Sequence, residues 1–217
     1  MIRFYSGTPG SGKSLHAAAD IYEWLRSGKN VIANFNIRDD LVKRIKWKKK
    51  QGQFIYFKNP DLMDVDLDPV SCFIGFALNF HDKDSEGRMY ESQTLIVIDE
   101  AGIVFNSRDW QGKYRPVWLE FFAQHRKYGF EIIMIAQSER QVDRQIRANF
   151  EYEYNHKRVG NFKIYGKILE FGGLRKMFCY VIRWYGIKGQ DGRVAAKFFC
   201  AEKKYCRLYN TTAIFGR

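Results

Sequence analysis

Within the first fourteen residues stands a run whose spacing suits one task. Gly7-Thr8-Pro9-Gly10-Ser11-Gly12-Lys13-Ser14 sets glycines at 7, 10 and 12, an amine at 13 and a hydroxyl at 14. Glycine frees the backbone to turn inward, so that successive N–H groups ring a phosphate. A helix starting at Lys13 would aim its positive dipole end at the same anion. Lys13 would add a point charge at the β- and γ-phosphates, and the Ser14 hydroxyl would enter a Mg2+ shell. The full G-x-x-x-x-G-K-S pattern follows a predicted strand at 2–6. In that context it predicts ATP and Mg2+ as cofactors, held by Gly7, Thr8, Pro9, Gly10, Ser11, Gly12, Lys13, Ser14 and Leu15.

A second constellation lies at 95–100. Leu95-Ile96-Val97-Ile98 reads as a buried strand and ends in Asp99-Glu100. With a phosphate loop upstream, a strand placed beside the loop's own strand would bring Asp99 to the metal through water. Glu100 would then sit by the γ-phosphate, where a carboxylate can orient and deprotonate a water. A third apolar run, Ile132–Ile135, leads to Gln137, which could sense the γ-phosphate or simply cap the strand. Arginines commonly meet transition-state charge, often from a neighbouring subunit. Arg126, Arg140, Arg144 and Arg147 are the candidates.

Elements that could position these residues follow from periodicity. Leu15, Ala18, Ala19, Tyr22 and Leu25 recur at helical spacing, predicting a helix over 13–27 that stops at Gly28. Strands are expected at 30–35, 54–57, 94–98 and 131–136, and helices at 71–79, 117–128 and 139–149. Segment 39–50 reads as a short helix or a basic loop. The alternation predicts a three-layer α/β P-loop NTPase with a mostly parallel sheet. Beyond Phe150 the texture becomes aromatic and β-branched between glycines, giving expected strands at 152–159, 164–171, 178–184 and 195–200. These predict a small C-terminal antiparallel β appendage. The expected division is a 1–157 core and a basic, β-rich 158–217 unit packed on it.

Charge separates the same two regions. Residues 1–155 hold 22 Lys/Arg against 21 Asp/Glu, whereas residues 156–217 hold 14 against 3. Such a surplus suits an anionic partner, nucleic acid or a membrane surface, or else a solvated basic face. The four cysteines at 72, 179, 200 and 206 form no C-x-x-C pair, so free thiols in a reducing cytoplasm are expected. No run approaches the roughly 18 apolar residues of a membrane span.

Together, Leu95–Glu100, Ala101-Gly102-Ile103-Val104-Phe105-Asn106-x-Arg108-x-Trp110, His125-Arg126-Lys127-x-Gly129 and Gln137 resemble the zonula occludens toxin (Zot) family. That family includes the gene I morphogenesis proteins of filamentous bacteriophages. The likeness spans about residues 1–160 and, more loosely, Leu208-Tyr209-Asn210-Thr211. It implies an additional-strand, FtsK/HerA-like ATPase with Lys13, Ser14, Asp99 and Glu100 at its centre, and it raises Arg126 above the other arginines. It also implies a homo-oligomer such as a hexamer, working on phage coat and assembly proteins, with single-stranded DNA as a further candidate partner. Family members commonly carry a membrane helix after this domain. The expected location is therefore the cytoplasm of the host bacterium, at the cytoplasmic face of the inner membrane if a longer product carries such a helix.

The reading reached is an ATP-hydrolysing motor for phage assembly and extrusion. Its alternative is a nucleotide-switched interaction module that grips coat protein, an assembly partner or membrane without acting as a motor.

Overall fold

A computed structural model describes residues 1–34, 37–38, 52–64, 67–106, 115–161, 177–187, 189 and 191–208. Its strands are β1 (Ile2–Ser6), β2 (Asn30–Ala33), β3 (Phe54–Tyr56), β4 (Thr94–Ile98), β5 (Phe130–Ile135), β6 (Tyr152–Arg158), β7 (Met177–Trp184) and β8 (Arg193–Cys200). The helices are α1 (Lys13–Arg26), α2 (Asn59–Met63), α3 (Pro69–Phe80), α4 (Ala101–Val104), α5 (Arg115–Gln124), α6 (Arg144–Arg147) and α7 (Lys203–Leu208). The expected strand at 164–171 and the basic stretch at 39–50 lie outside the described residues.

All eight strands form one sheet in the order β3-β2-β4-β5-β1-β6-β7-β8. The first six run parallel; β7 is antiparallel to β6, and β8 to β7. The antiparallel C-terminal strands thus extend the same sheet, and β6 itself spans the expected boundary at 157/158. The expectation that β4 lies directly beside β1 is corrected: β5 stands between them. Ile132, Ile133, Met134 and Ile135 are apolar and buried on both faces, which suits only an interior parallel strand. This insertion is the additional strand of the expected fold class.

Alternating side chains send two cores to opposite faces. One face packs Tyr5, Val31, Leu95, Val97, Ile133 and Ile135 against Ala17, Ala18, Ile21 and Leu25 of α1. The other packs Phe4, Ile96, Ile98, Ile132 and Met134 against Phe73 of α3 and Trp118, Phe121 and Phe122 of α5. Fully burying each such side chain contributes on the order of 1.5–3 kcal/mol. Polar ties also fix α1 over the sheet: the Tyr5 hydroxyl donates to Asp20 at 2.5 Å, and His16 meets His156 of β6 at 2.8 Å.

Two local expectations change. The helix over 139–149 is broken into a 3-10 turn, Glu139–Gln141, and α6. Ser138 and Gln141 close the first turn as a reciprocal cap, Val142 is buried and extended, and Asp143 caps a new start by accepting from the Gln145 N–H at 2.8 Å. Helix α7 was not foreseen; it buries Leu208 under the α1 face, where Tyr205 meets Tyr22 edge-on.

Candidate nucleotide site

Parallel strands put the carboxyl ends of β1, β4 and β5 at one edge of the sheet, and the chain continues there as Gly7, Asp99 and Ala136-Gln137. The loop after β1 turns tightly. Gly7 has φ +138°, and a Cβ on it would stand 2.5 Å from the His156 carbonyl oxygen; Gly12 has φ +94°, and a Cβ there would stand 2.7 Å from the Phe178 ring. Neither position tolerates a side chain. Thr8, Pro9 and Gly10 are exposed, and Ser11 is buried with an unpartnered Oγ. No side chain caps α1, whose first helical bond is His16 N–H to the Gly12 carbonyl at 2.9 Å. The N–H groups preceding it, through Ser14 and Leu15, are left for an anion.

Lys13 folds back over the loop, donating to the carbonyls of Gly7 at 2.7 Å and Thr8 at 3.1 Å. Burial lowers its pKa, against the pull of Asp99 and Glu100. The Ser14 hydroxyl donates to Asp99 Oδ2 at 3.2 Å. Asp99 is buried, and burial pushes its carboxyl up to about 6 against bonds from the Glu100 N–H and Ser14. A hydroxyl and a buried carboxylate short of countercharge form a hard-oxygen donor pair that suits Mg2+. Glu100 follows in the left-handed region (φ 50°, ψ 43°), its N–H donating to Asp99 Oδ1 at 2.9 Å. Such a backbone costs a non-glycine residue on the order of 1 kcal/mol and recurs where function needs a particular aim.

The additional strand brings Gln137 to the gap between the β1 and β4 ends. Its carbonyl accepts from the Gly7 N–H at 3.3 Å, its own N–H donates to Gln141 Oε1 at 3.1 Å, and the residue is exposed. Arg126 does not join this group. It precedes β5, at the opposite edge of the sheet, where its guanidinium pairs with Glu151. The six residues of β5 alone separate the two edges by roughly 20 Å. Arg144 and Arg147 lie on α6, with Arg147 4.0 Å from Glu139, and Arg140 lies in the turn before it. Arg108 and Trp110 lie outside the described residues.

One participant escaped the sequence reading. Asn34, just past β2, is buried and clasps the Asp99 backbone: Oδ1 accepts from the Asp99 N–H at 2.6 Å, and Nδ2 donates to the Asp99 carbonyl at 2.8 Å. Nδ2 also donates to Asn59 Oδ1 at 2.5 Å. Its only signal was an amide directly after a buried apolar strand, the position that Asp99 occupies after β4.

Both phosphate-loop and acidic motifs thus converge in an additional-strand P-loop fold, and the sequence profile of the zonular occludens toxin (Zot) family matches residues 1–172. The chain belongs to the Zot family. Among relatives, the Gene 1 protein of Escherichia phage If1 is 32% identical over 146 residues, covering 65% of this chain and 37% of that protein. The Gene 1 protein of Enterobacteria phage fd is 29% identical over 150 residues, 68% of this chain and 39% of that protein. The chain therefore spans well under half the length of these relatives. In fold it is similar to the N-terminal domain of zonular occludens toxin from Neisseria meningitidis, with TM-score 0.57, 18% identity, and 96% and 98% of the two chains covered. B204, the DNA-packaging ATPase of Sulfolobus turreted icosahedral virus, is similar with TM-score 0.53, 16% identity and coverage of 91% and 95%. This member of the Zot family thus has a P-loop NTPase fold with a complete phosphate-loop motif.

Proposed function

We propose that this Zot-family domain is the ATP-hydrolysing motor of filamentous phage assembly and extrusion, working as a multimer. The observation that supports it is the convergence of Lys13, Ser14, Asp99, Glu100 and Gln137 at one sheet edge, in a chain related to phage Gene 1 proteins. ATP binds along residues 7–15. Ser14 and the buried Asp99 would hold a Mg2+ ion, which would supply charge neutralisation at the phosphates when bound. Lys13 leaves its loop carbonyls for the γ-phosphate. Glu100 orients and deprotonates the attacking water, and Gln137 reports whether the γ-phosphate is present.

Arg126 acts across a subunit boundary, because its place at the far edge leaves it no route to its own chain's site. Residues 1–157 do the nucleotide chemistry, and the basic 158–217 region meets coat and assembly proteins. The work takes place on the cytoplasmic side of the host inner membrane, with attachment through a segment of the longer product. Among the described residues no helix is long and apolar enough to cross a membrane.

The test is complementation. Glu100→Gln and Arg126→Ala are each inactive alone under this reading. Mixed, they form interfaces carrying an intact Glu100 from one subunit and an intact Arg126 from the other, and hydrolysis returns to a sizeable fraction of wild type. A mixture as inactive as its parts, or a fully active Arg126→Ala, overturns the trans assignment.

A further inference from the structure

The last strands of the sheet stand against the phosphate loop. β6 pairs with β1, and β7 runs back antiparallel to β6, so that Phe178 at its start lies across from Arg158 at the loop's edge of the sheet. Both glycines that bound the loop touch these strands. A Cβ on Gly7 would meet the His156 carbonyl oxygen of β6, and one on Gly12 would stand 2.7 Å from Cδ1 and 2.9 Å from Cγ of Phe178. A Cβ on Gly10, between them, would meet nothing within 4 Å. The loop is thus walled at its two ends and open at its middle.

The Phe178 ring is itself held. It stacks on Phe199 of β8, with centroids 5.3 Å apart and planes 25° apart. Phe199 lies 5.1 Å from the ring of His16, in the first turn of α1, and 5.8 Å from Tyr180. His16 stacks on Tyr180 at 4.4 Å, and its Nδ1 meets His156 Nε2 at 2.8 Å. One set of rings therefore fills the space between the start of α1 and strands β6 to β8, and Phe178 is the member that reaches Gly12.

Gly12 is where such a contact counts. It holds φ +94°, ends the loop, and accepts the first helical bond, from the His16 N–H at 2.9 Å. Glycine has the widest backbone freedom of any residue. An unbraced Gly12 would turn the loop's N–H groups away from a common centre, and ATP would have to order them as it binds. We propose that Phe178 is a positioning residue for the phosphate loop, bracing Gly12 so that the loop is set for phosphate before nucleotide arrives. The proposal rests on residues 7–15 being the ATP site, and it gives the basic C-terminal region a part in that site beyond its partner contacts.

The experiment pairs residue-resolved amide hydrogen exchange of the nucleotide-free protein with Mg-ATP titration and steady-state hydrolysis. Phe178→Ala should speed exchange at the Ser11 and His16 amides, whose bonds to the Thr8 and Gly12 carbonyls shape the loop, by roughly fivefold or more. It should weaken ATP binding roughly 5- to 30-fold, the cost of ordering one backbone residue. kcat should stay within about twofold, since that cost falls on binding and not on the bound state. Phe178→Leu keeps Cγ and Cδ1, the two atoms nearest Gly12, and should restore most of both effects. Phe199→Ala, which removes the ring behind Phe178, should fall between wild type and Phe178→Ala. Phe198→Ala, on the other face of β8 and 67% exposed, should match wild type throughout. A fold merely loosened by the lost ring would instead lower the melting temperature and kcat and leave ATP affinity unchanged. That result, wild-type exchange at Ser11 and His16 in Phe178→Ala, or a Phe178→Leu as impaired as Phe178→Ala, overturns the proposal. A wild type that binds no ATP would overturn the nucleotide reading, while exchange at Ser11 and His16 still decides the brace.

Discussion

Asn34→Ala is a sharp perturbation because it touches no phosphate-loop residue and yet should disable the site. The carboxamide satisfies both the N–H and the carbonyl of Asp99, at 2.6 and 2.8 Å, in a buried position. Truncation leaves two buried backbone groups unpaired, each costing about 1–3 kcal/mol, less whatever a water recovers. A net loss of about 3 kcal/mol is expected, which for a chain of this length lowers the melting temperature by roughly 6–12 °C. The Asp99 carboxylate hangs from the freed peptide and should drift from Ser14. Displacements near 1 Å cost on the order of 100-fold in rate. Urea unfolding gives the first quantity and steady-state ATP hydrolysis the second. Asn34→Asp should also lower turnover, since it keeps an acceptor for the Asp99 N–H but removes the donor and sets a second carboxylate beside Asp99. A variant losing under 0.5 kcal/mol with wild-type turnover would refute the claim that Asn34 holds the acidic motif in place.

Further outcomes follow from the same geometry. Gly12→Ala should weaken ATP binding at least tenfold in a nucleotide titration, because φ +94° and the Phe178 ring 2.7 Å away both oppose a Cβ; adding Phe178→Ala should recover only part, since the backbone strain remains. Acid should destabilise the fold through its buried histidines. Burial lowers His125 to about 4 and His16 and His156 to about 3. Above the unfolded value near 6.5 they are neutral in both states, so their contribution is constant there. Below it only the unfolded chain takes up protons, and stability falls with pH by about 1.4 kcal/mol per unit per histidine, for His125 down to about pH 4. His125→Gln should therefore shallow the decline in urea-derived stability between pH 6.5 and 5 by about 2 kcal/mol. Lys13→Ala should abolish hydrolysis and weaken nucleotide binding in the same titration, since it removes the loop's only side-chain cation.

What the sequence could reveal depended on how local the chemistry is. The phosphate loop is legible because its parts lie within eight consecutive positions, and Asp99-Glu100 because a wholly apolar strand precedes it. Asn34 clasps Asp99 across strand order from 65 positions away, and Asn59 meets Asn34 from 25 away, and composition carries no trace of such pairing. The insertion of β5 between β1 and β4 is equally invisible to periodicity, since any buried parallel strand reads alike. The break between Gln141 and Asp143 was written in capping residues, Ser138 and Asp143, but helical spacing of Val142, Ile146 and Phe150 masked it. Arg126 shows the limit of motif proximity: a residue next to a site strand in sequence sits at the wrong end of it within its own chain.

The central claim is that Glu100 activates water on a nucleotide held by the phosphate loop. Mg-ATP binding and hydrolysis by the purified wild type and by Glu100→Gln, over a range of protein concentration and with and without single-stranded DNA, test it most directly. The account predicts equal affinity for ATP, turnover in the variant reduced at least 100-fold, and wild-type turnover per subunit that rises with concentration as shared sites assemble. Wild-type turnover no greater than that of Glu100→Gln under every condition would contradict it.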